Sequence, residues 1–180
     1  MHNGLLADPT NPFVRQCKAI TSKGSKKMTD DDYEKLDRLK WEGGLYWSDD
    51  IKGFYIPSDN IERTILEGAK KNRLGKDFAA ALFCVEPEIP VEHALKGKSK
   101  DQIYADERYQ IRKGVKIQQS RVISVRPMVP TGWTISFAVE FDESILNPSQ
   151  VEKAMQEAGS LVGLGDWRPK FGRFIVEVEK

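Results

Sequence analysis

The sequence predicts an α+β protein: an antiparallel sheet with two helices on one of its faces. Three observations lead there. Trp133, Ile135, Phe137, Val139 and Phe141 alternate with Thr134, Ser136, Ala138 and Glu140, the period-two pattern of a strand with one buried face. Ile61, Ile65, Leu66 and Ala69 recur at helical spacing, and Val151, Ala154, Met155, Ala158 and Leu161 do so again. Between and around these runs lie further short apolar stretches bounded by glycine and proline, which read as strands and turns.

Taken in order, residues 1–9 carry no periodic pattern. Asn11-Pro12 reads as the N-cap and first residue of a helix running toward Ser22, with Phe13, Val14, Cys17 and Ile20 on one side. Thr29 and Asp32 form a capping-box pattern, Asp standing in for Glu, ahead of a helix over 30–41 that Gly43-Gly44 ends. Leu45-Tyr46-Trp47 and Gly53-Phe54-Tyr55-Ile56 read as short strands around a turn at 48–52. Ser58 is expected to cap a helix over 59–73, with Lys70, Lys71 and Arg73 in its last turn, where the helix dipole favours cations, and Gly75 closing it.

Residues 79–85 read as a short buried strand, 87–100 as an excursion from the core, and 101–106 as a helical turn. A long strand is expected over 115–128, with Lys116, Arg121 and Arg126 interleaved and Pro127 marking a sheet edge. After the strand at 133–141, Asn147-Pro148 opens a helix to residue 161, and Phe174, Val176 and Val178 alternate as a final strand over 171–179. The later chain thus reads strand, helix, strand, strand, helix, strand. That is the β-α-β-β-α-β order of a ferredoxin-like domain, whose open sheet face is free to meet a ligand, as in RNA-recognition folds. The chain is read as one domain over 1–180, with a helical insertion near 12–42 and an irregular excursion near 86–110.

Composition narrows the function classes. Of the 180 residues 39% are hydrophobic and 31% charged, which suits a folded globular chain. No apolar run approaches the roughly 18 residues of a membrane span, and no charged-then-apolar leader opens the chain. Cys17 and Cys84 lack metal-ligand spacing and read as reduced thiols of a cytoplasmic protein. The formal net charge is only +1, but acids crowd 30–62 while bases recur at 18–27, 70–76, 96–100 and 108–126. Such asymmetry permits a basic face on a neutral protein.

The stretch joining the last helix to the last strand is the candidate site. It holds Gly163, Gly165 and Gly172, the cations Arg168, Lys170 and Arg173, and the aromatics Trp167 and Phe171. Glycines let backbone approach a ligand, arginine forks suit phosphate, and an aromatic face suits a base. The expected assignment is phosphate contact for Arg168, Lys170 and Arg173, base stacking for Trp167, and close backbone approach at the three glycines. Arg121 and Arg126 would extend the groove. The spacing is not a dinucleotide fingerprint, because it follows a helix and opens a strand.

Two segments carry a family resemblance. The stretch from Val162 to Phe174 resembles the C-terminal glycine-rich loop of the RAMP superfamily, the RNA-binding subunits of CRISPR effector complexes. Tyr55-Ile56-Pro57-Ser58-Asp59-Asn60-Ile61 is similar to the Ile-Pro-Gly-Ser-Ser helix start of that superfamily's backbone subunits, with Ser58-Asp59 where the family has Gly-Ser. Met1-His-Asn-Gly-Leu-Leu-Ala-Asp-Pro-Thr-Asn-Pro12, together with 163–174, resembles a group of uncharacterised phage proteins over most of the chain. In that group an apolar strand precedes the Met-His-Asn-Gly motif, so the resemblance implies either a strand ahead of Met1 or a late start. It also implies a single-stranded nucleic acid, RNA or DNA, as the partner.

Catalytic signals are weak. The chain has two histidines, His2 and His93, and no His-x-x-x-His, Cys-x-x-Cys, P-loop or Gly-x-Ser-x-Gly pattern. The expectation is a non-enzyme with no cofactor and no metal. Asp8, in Ala7-Asp8-Pro9, resembles a loop aspartate with which some RAMP backbone subunits cut RNA, but Asp-Pro is also ordinary turn chemistry. Asp30-Asp31-Asp32 is explained by the helix dipole. The competing functions are an interaction or self-assembly module, for example one acting on a host defence complex, anchored by Trp41, Tyr46 and Trp47 if these are exposed, and, third, a metal-dependent nuclease using Asp8.

Overall fold

The structure is a computed structural model that describes residues 7–117 and 120–179; for 115–117, 120–122 and 124 only the backbone is described. The chain is mixed α+β, with six α-helices, the short α5 spanning Lys100–Tyr104, and small antiparallel sheets among the described residues. It divides into two compact units, each built from two separated stretches: Met1–Phe54 with Glu92–Thr134, and Tyr55–Val91 with Ile135–Lys180. No helix among the described residues is long and apolar enough to cross a membrane.

In the first unit, helix α1 (Pro12–Thr21) starts as its sequence requires. Asn11 Oδ1 accepts from the Phe13 N–H at 2.9 Å, and Pro12 occupies the first turn, where a missing N–H leaves nothing unpaired. Helix α2 (Asp30–Gly43) carries the expected capping box: Asp32 N–H donates to Thr29 Oγ1 at 3.3 Å, and Thr29 N–H to Asp32 Oδ2 at 3.2 Å. Ile20, Leu36 and Leu39 form a buried cluster, with Phe13, Cys17 and Met28 packed against it.

Trp41 corrects the sequence reading. It is fully buried rather than exposed, and its Nε1–H donates to the Tyr109 carbonyl at 2.9 Å. Two residues beyond Leu39 on a 3.6-residue helix, it lies on the opposite side of α2, so that helix is buried on two sides. The indole finds its acceptor, which is what lets a tryptophan go fully inside. Tyr46 and Trp47 are half-buried.

Strand β1 (Trp47–Ser48) pairs antiparallel with the first two residues of β2 (Gly53–Pro57), Trp47 facing Phe54 with the rings edge to face at 5.6 Å. Strands β5 (Gln110–Ile117) and β6 (Ser120–Pro127) form an antiparallel pair in register from Gln110↔Pro127 to Ile117↔Ser120. The single strand expected over 115–128 is therefore two strands. The polar run Gln118-Gln119-Ser120-Arg121 interrupts the alternation but holds no glycine, asparagine or aspartate to mark a hairpin in the sequence.

Beside Phe54, His93 Nδ1 lies 2.9 Å from the Tyr109 hydroxyl and 3.3 Å from the Leu95 N–H. Two donors at Nδ1 make it the acceptor and place the ring proton on Nε2, which is buried without a partner among the described residues. Burial pushes the His93 pKa below its ordinary value; Lys96 adds to the shift and Glu92 opposes it.

In the second unit, the last three residues of β2 pair with β4 (Glu88–Pro90), Ile56 facing Ile89. Helix α3 (Ser58–Ala69) begins at Ser58 itself, without a side-chain cap. The Ser58 N–H instead donates to the Pro87 carbonyl at 3.0 Å, so tertiary structure replaces the expected cap. The helix also stops early: a 3₁₀ turn at Lys70–Asn72 ends in the left-handed Arg73 (φ 63°), and Gly75 opens a new helix, α4 (Gly75–Ala81). Ala79, Ala80 and Ala81 follow their helical propensity and leave only β3 (Leu82–Cys84) of the strand expected over 79–85. Phe83 and Val85 are exposed, so that segment is buried on one face only.

Strand β3 pairs antiparallel with β7 (Val139–Phe141), Cys84 facing Val139. The alternation over 133–141 survives as burial: Trp133, Ile135, Phe137, Val139 and Phe141 are half-buried and the residues between them exposed, although regular strand covers only Val139–Phe141. Helix α6 (Pro148–Glu157) has a full capping box between Asn147 and Gln150. It continues as a π turn over Ala158–Val162, closed by Gly163 N–H to Ala158 O at 2.7 Å. The extra residue in that turn rotates Leu161 out of the apolar stripe, and it is exposed. No regular strand is assigned to 171–179, although Phe174 and Val176 are half-buried and Ile175 and Glu177 exposed.

Helices α3 and α6 approach closely at Gly68. A Cβ there would stand 2.3 Å from Ala154 O and 2.8 Å from Ala158 N. Gly68→Ala is expected to destabilise by about 1–3 kcal/mol despite the better helix propensity of alanine, read from urea melts. A neutral or stabilising change would show that the two helices separate freely.

His93 gives a pH signature. The unfolded chain binds the imidazole proton near the ordinary pKa of 6.5, while the folded chain resists it. Stability from this group is complete above about pH 6.5 and is lost as pH falls toward the depressed folded value. The difference in Tm between pH 7.5 and pH 5.5 should therefore shrink in His93→Phe, and an unchanged difference would mean the ring is not held neutral.

Candidate nucleic-acid interface

The loop after α6 is built by its own backbone. Gly163 (φ 78°) breaks the π turn, Gly165 (φ 92°) redirects the chain, and a turn over 166–170 with a cis Arg168–Pro169 peptide leads to Gly172 (φ 77°). Leu164 N–H donates to Gly172 O at 2.8 Å and Phe171 N–H to Trp167 O at 3.0 Å, so the two limbs are tied to each other. Leu164 is buried beneath them.

The three glycines divide by role. A Cβ on Gly172 would sit 1.8 Å from Leu164 O, and one on Gly163 would sit 3.0 Å from Phe171 O. Those two positions serve the closure of the loop on itself. Gly165 shares the left-handed backbone but has nothing within 4 Å of where a Cβ would be, so it alone of the three faces open space.

Arg168, Lys170 and Arg173 are all exposed on this scaffold. Arg173 Nε donates to the Pro169 carbonyl at 3.0 Å, which steadies the guanidinium against the turn. Lys170 Nζ stands 5.9 Å from the centre of the Phe171 ring. Trp167 is half-buried, its ring 6.4 Å from that of Phe171 and inclined to it by 51°. Three cations and the single acid Asp166 leave the turn positive.

Two further basic residues lie nearby: Arg63 on α3, and Lys70 in the 3₁₀ turn that follows it, which the sequence reading attributed to the helix dipole. Arg63 Nη2 and Lys70 Nζ reach the same carboxylate oxygen, Glu67 Oε1, at 2.9 and 2.8 Å. The i, i+4 and i, i+3 spacings about Glu67 were visible in the sequence; that the helix runs beside the approach to the loop was not.

Arg121 and Arg126 lie on β6 in the first unit. Arg126 is half-buried and faces Ile111 across the strands. Arg121 pairs in register with Lys116, and its side chain lies outside the described residues.

The reactive groups are engaged elsewhere. Asp8 Oδ1 accepts from the Thr10 N–H and hydroxyl, both at 2.8 Å, and these bonds hold its carboxyl below the usual range. Asp8 O also accepts from Asn11 N–H, which makes the segment the turn ahead of α1. Burial, with Glu62 and Glu86 nearby, pushes the Cys84 thiol up to about 12. His2 and the first half of the Met1–Pro12 motif, residues 1–6, lie outside the described residues. Among the described residues no group of three His, Cys, Asp or Glu is placed to hold a metal.

No protein-family model, no curated protein and no solved structure matches the chain.

Loop closure predicts unequal glycine variants. Gly165→Ala should lose about 1–2 kcal/mol, the strain of a left-handed alanine. Gly172→Ala should lose clearly more, because its Cβ also overlaps Leu164 O. Equal losses in urea melts of the two variants would contradict the closure described above.

Proposed function

We propose that this chain is a non-catalytic, cytoplasmic nucleic-acid-binding protein of phage type that takes single-stranded RNA or DNA on the loop at 163–173. One observation carries the reading. Arg168, Lys170 and Arg173 are exposed around the half-buried Trp167 on a turn tied by its own hydrogen bonds. Cations neutralise phosphates, and an aromatic face accepts a base without regard to sequence. Gly165 provides the open backbone position beside them.

The second unit is, on this proposal, a ferredoxin-like core of the RAMP kind. What supports it is order: the end of β2, then α3, β3, β7, α6 and the segment at 171–179, with α4 added ahead of β3 and β4 after it, α3 against α6 and β3 beside β7. Of the first unit's two stretches, Met1–Phe54 then precedes that order and Glu92–Thr134 is inserted into it ahead of β7. The non-catalytic part rests on Asp8, held in a turn by Thr10, and on Cys84, whose thiol stays protonated at neutral pH.

Self-association is a second reading with its own observation. Phe83, Val85, Ile175 and Val178 of the second unit are all exposed, Ile175 to 92%. Exposed apolar residues of this size mark interaction surfaces when they are contiguous. Size measurement over a concentration series tests that reading.

The binding reading is tested by filter binding to short single strands at several salt concentrations. Affinity should fall with salt with a slope of about −0.7 per phosphate neutralised. An Arg168→Ala, Arg173→Ala double variant should lose both affinity and slope. Trp167→Ala should lose about 1–3 kcal/mol of binding and keep the slope. Unchanged affinity in a folded double variant removes the loop from the site.

A further inference from the structure

We infer that Arg63 of α3 and Lys70 of the 3₁₀ turn that follows it form a second phosphate-binding element beside the loop, with Glu67 holding both cations until a phosphate of the bound strand displaces it. This rests on the loop reading above and extends it. The geometry is specific. One oxygen, Glu67 Oε1, accepts from Lys70 Nζ at 2.8 Å and stands 2.9 Å from Arg63 Nη2 as an ion pair. One negative charge therefore faces two positive ones. The Glu67 side chain is 27% exposed, while Arg63 and Lys70 are 60% and 47% exposed, so the cations are open to solvent and the acid is the shielded member.

Exposed ion pairs add little net stability, because water solvates the separated charges almost as well. An incoming phosphate offers the same cations stronger, charge-assisted hydrogen bonds, and the arginine fork fits it in two places. The exchange thus disrupts little of the protein.

The element is continuous with the loop. Gly68, the residue after Glu67, lies against the backbone of Ala154 and Ala158, and Ala158–Val162 runs directly into Gly163. The Arg168 guanidinium acts on Glu67 as well: Lys70 foremost, then Arg63 and Arg168, hold this carboxyl below the ordinary range. Arg63, Lys70 and Arg168 around one carboxylate leave two positive charges in excess. The ligand that fits is the phosphodiester backbone of the strand whose base meets Trp167, read without sequence preference.

The test is a salt titration of the full chain with oligo(dT) and oligo(U), comparing wild type, an Arg63→Ala, Lys70→Ala double variant, Glu67→Gln, and the Arg168→Ala, Arg173→Ala double variant. Thermal melts establish that each is folded. The Arg63, Lys70 variant should bind more weakly, with a slope shallower by about 1.4, which is roughly sevenfold less affinity lost between 50 and 200 mM salt. Glu67→Gln should bind more tightly than wild type, because the competing carboxylate is gone. If the Arg63, Lys70 variant keeps the wild-type slope while the Arg168, Arg173 variant loses binding, the inference fails and the loop reading stands. Weaker or unchanged binding by Glu67→Gln also overturns it. If wild type shows no salt-dependent binding to either strand, both fall together.

Discussion

The close approach of α3 to α6 at Gly68 is the constraint on which the second unit depends. A methyl group there would overlap the Ala154 carbonyl and the Ala158 amide. With no side chain between them, the helices meet backbone to backbone, and the buried stripe of Ile61, Ile65, Val151, Ala154 and Ala158 closes around the contact. Packing that tight tolerates little rearrangement, so the position of one helix sets that of the other. Two consequences follow for the candidate site. The π turn after α6 starts at Ala158, one of the residues pressed by Gly68, and Glu67 with its two cations is the residue just before Gly68.

The same economy of space governs the loop. Gly159 admits the Phe174 carbonyl at a distance no Cβ would allow, and Gly172 does the same for Leu164. Glycine is thus used for internal closure at three places and for open space at one, Gly165. A glycine-rich loop near basic residues invites the reading that every glycine serves a ligand. The structure assigns most of them to holding the turn in shape, which is what keeps Arg168, Lys170 and Arg173 on one rigid support.

The first unit is organised around polar satisfaction. Trp41 is the largest fully buried side chain, and its single donor is matched by the Tyr109 carbonyl. Tyr109 in turn places its hydroxyl on His93, and Phe54 covers the ring at 4.9 Å. Burial and the two donors at Nδ1 both favour the neutral imidazole.

Where an element is decided by neighbours in the chain, the residues alone were sufficient. The caps at Asn11, Thr29 and Asn147, the helices they start, and the alternation over 133–141 are local effects of side-chain hydrogen bonding and burial period, and all were legible. The cations, the tryptophan and the glycines of the loop were legible as a set, because composition and spacing are properties of one short stretch. What only the tertiary structure decided involves partners far apart in sequence. The start of α3 is held by Pro87 rather than by Ser58. Trp41 is inside because Tyr109 offers an acceptor 68 residues away. The split of 115–128 into two strands follows from pairing with residues that a pattern reading treats as irregular. Arg63, Glu67 and Lys70 become part of the loop's surroundings through the fit of α3 against α6, and no periodicity encodes which helix a glycine will meet.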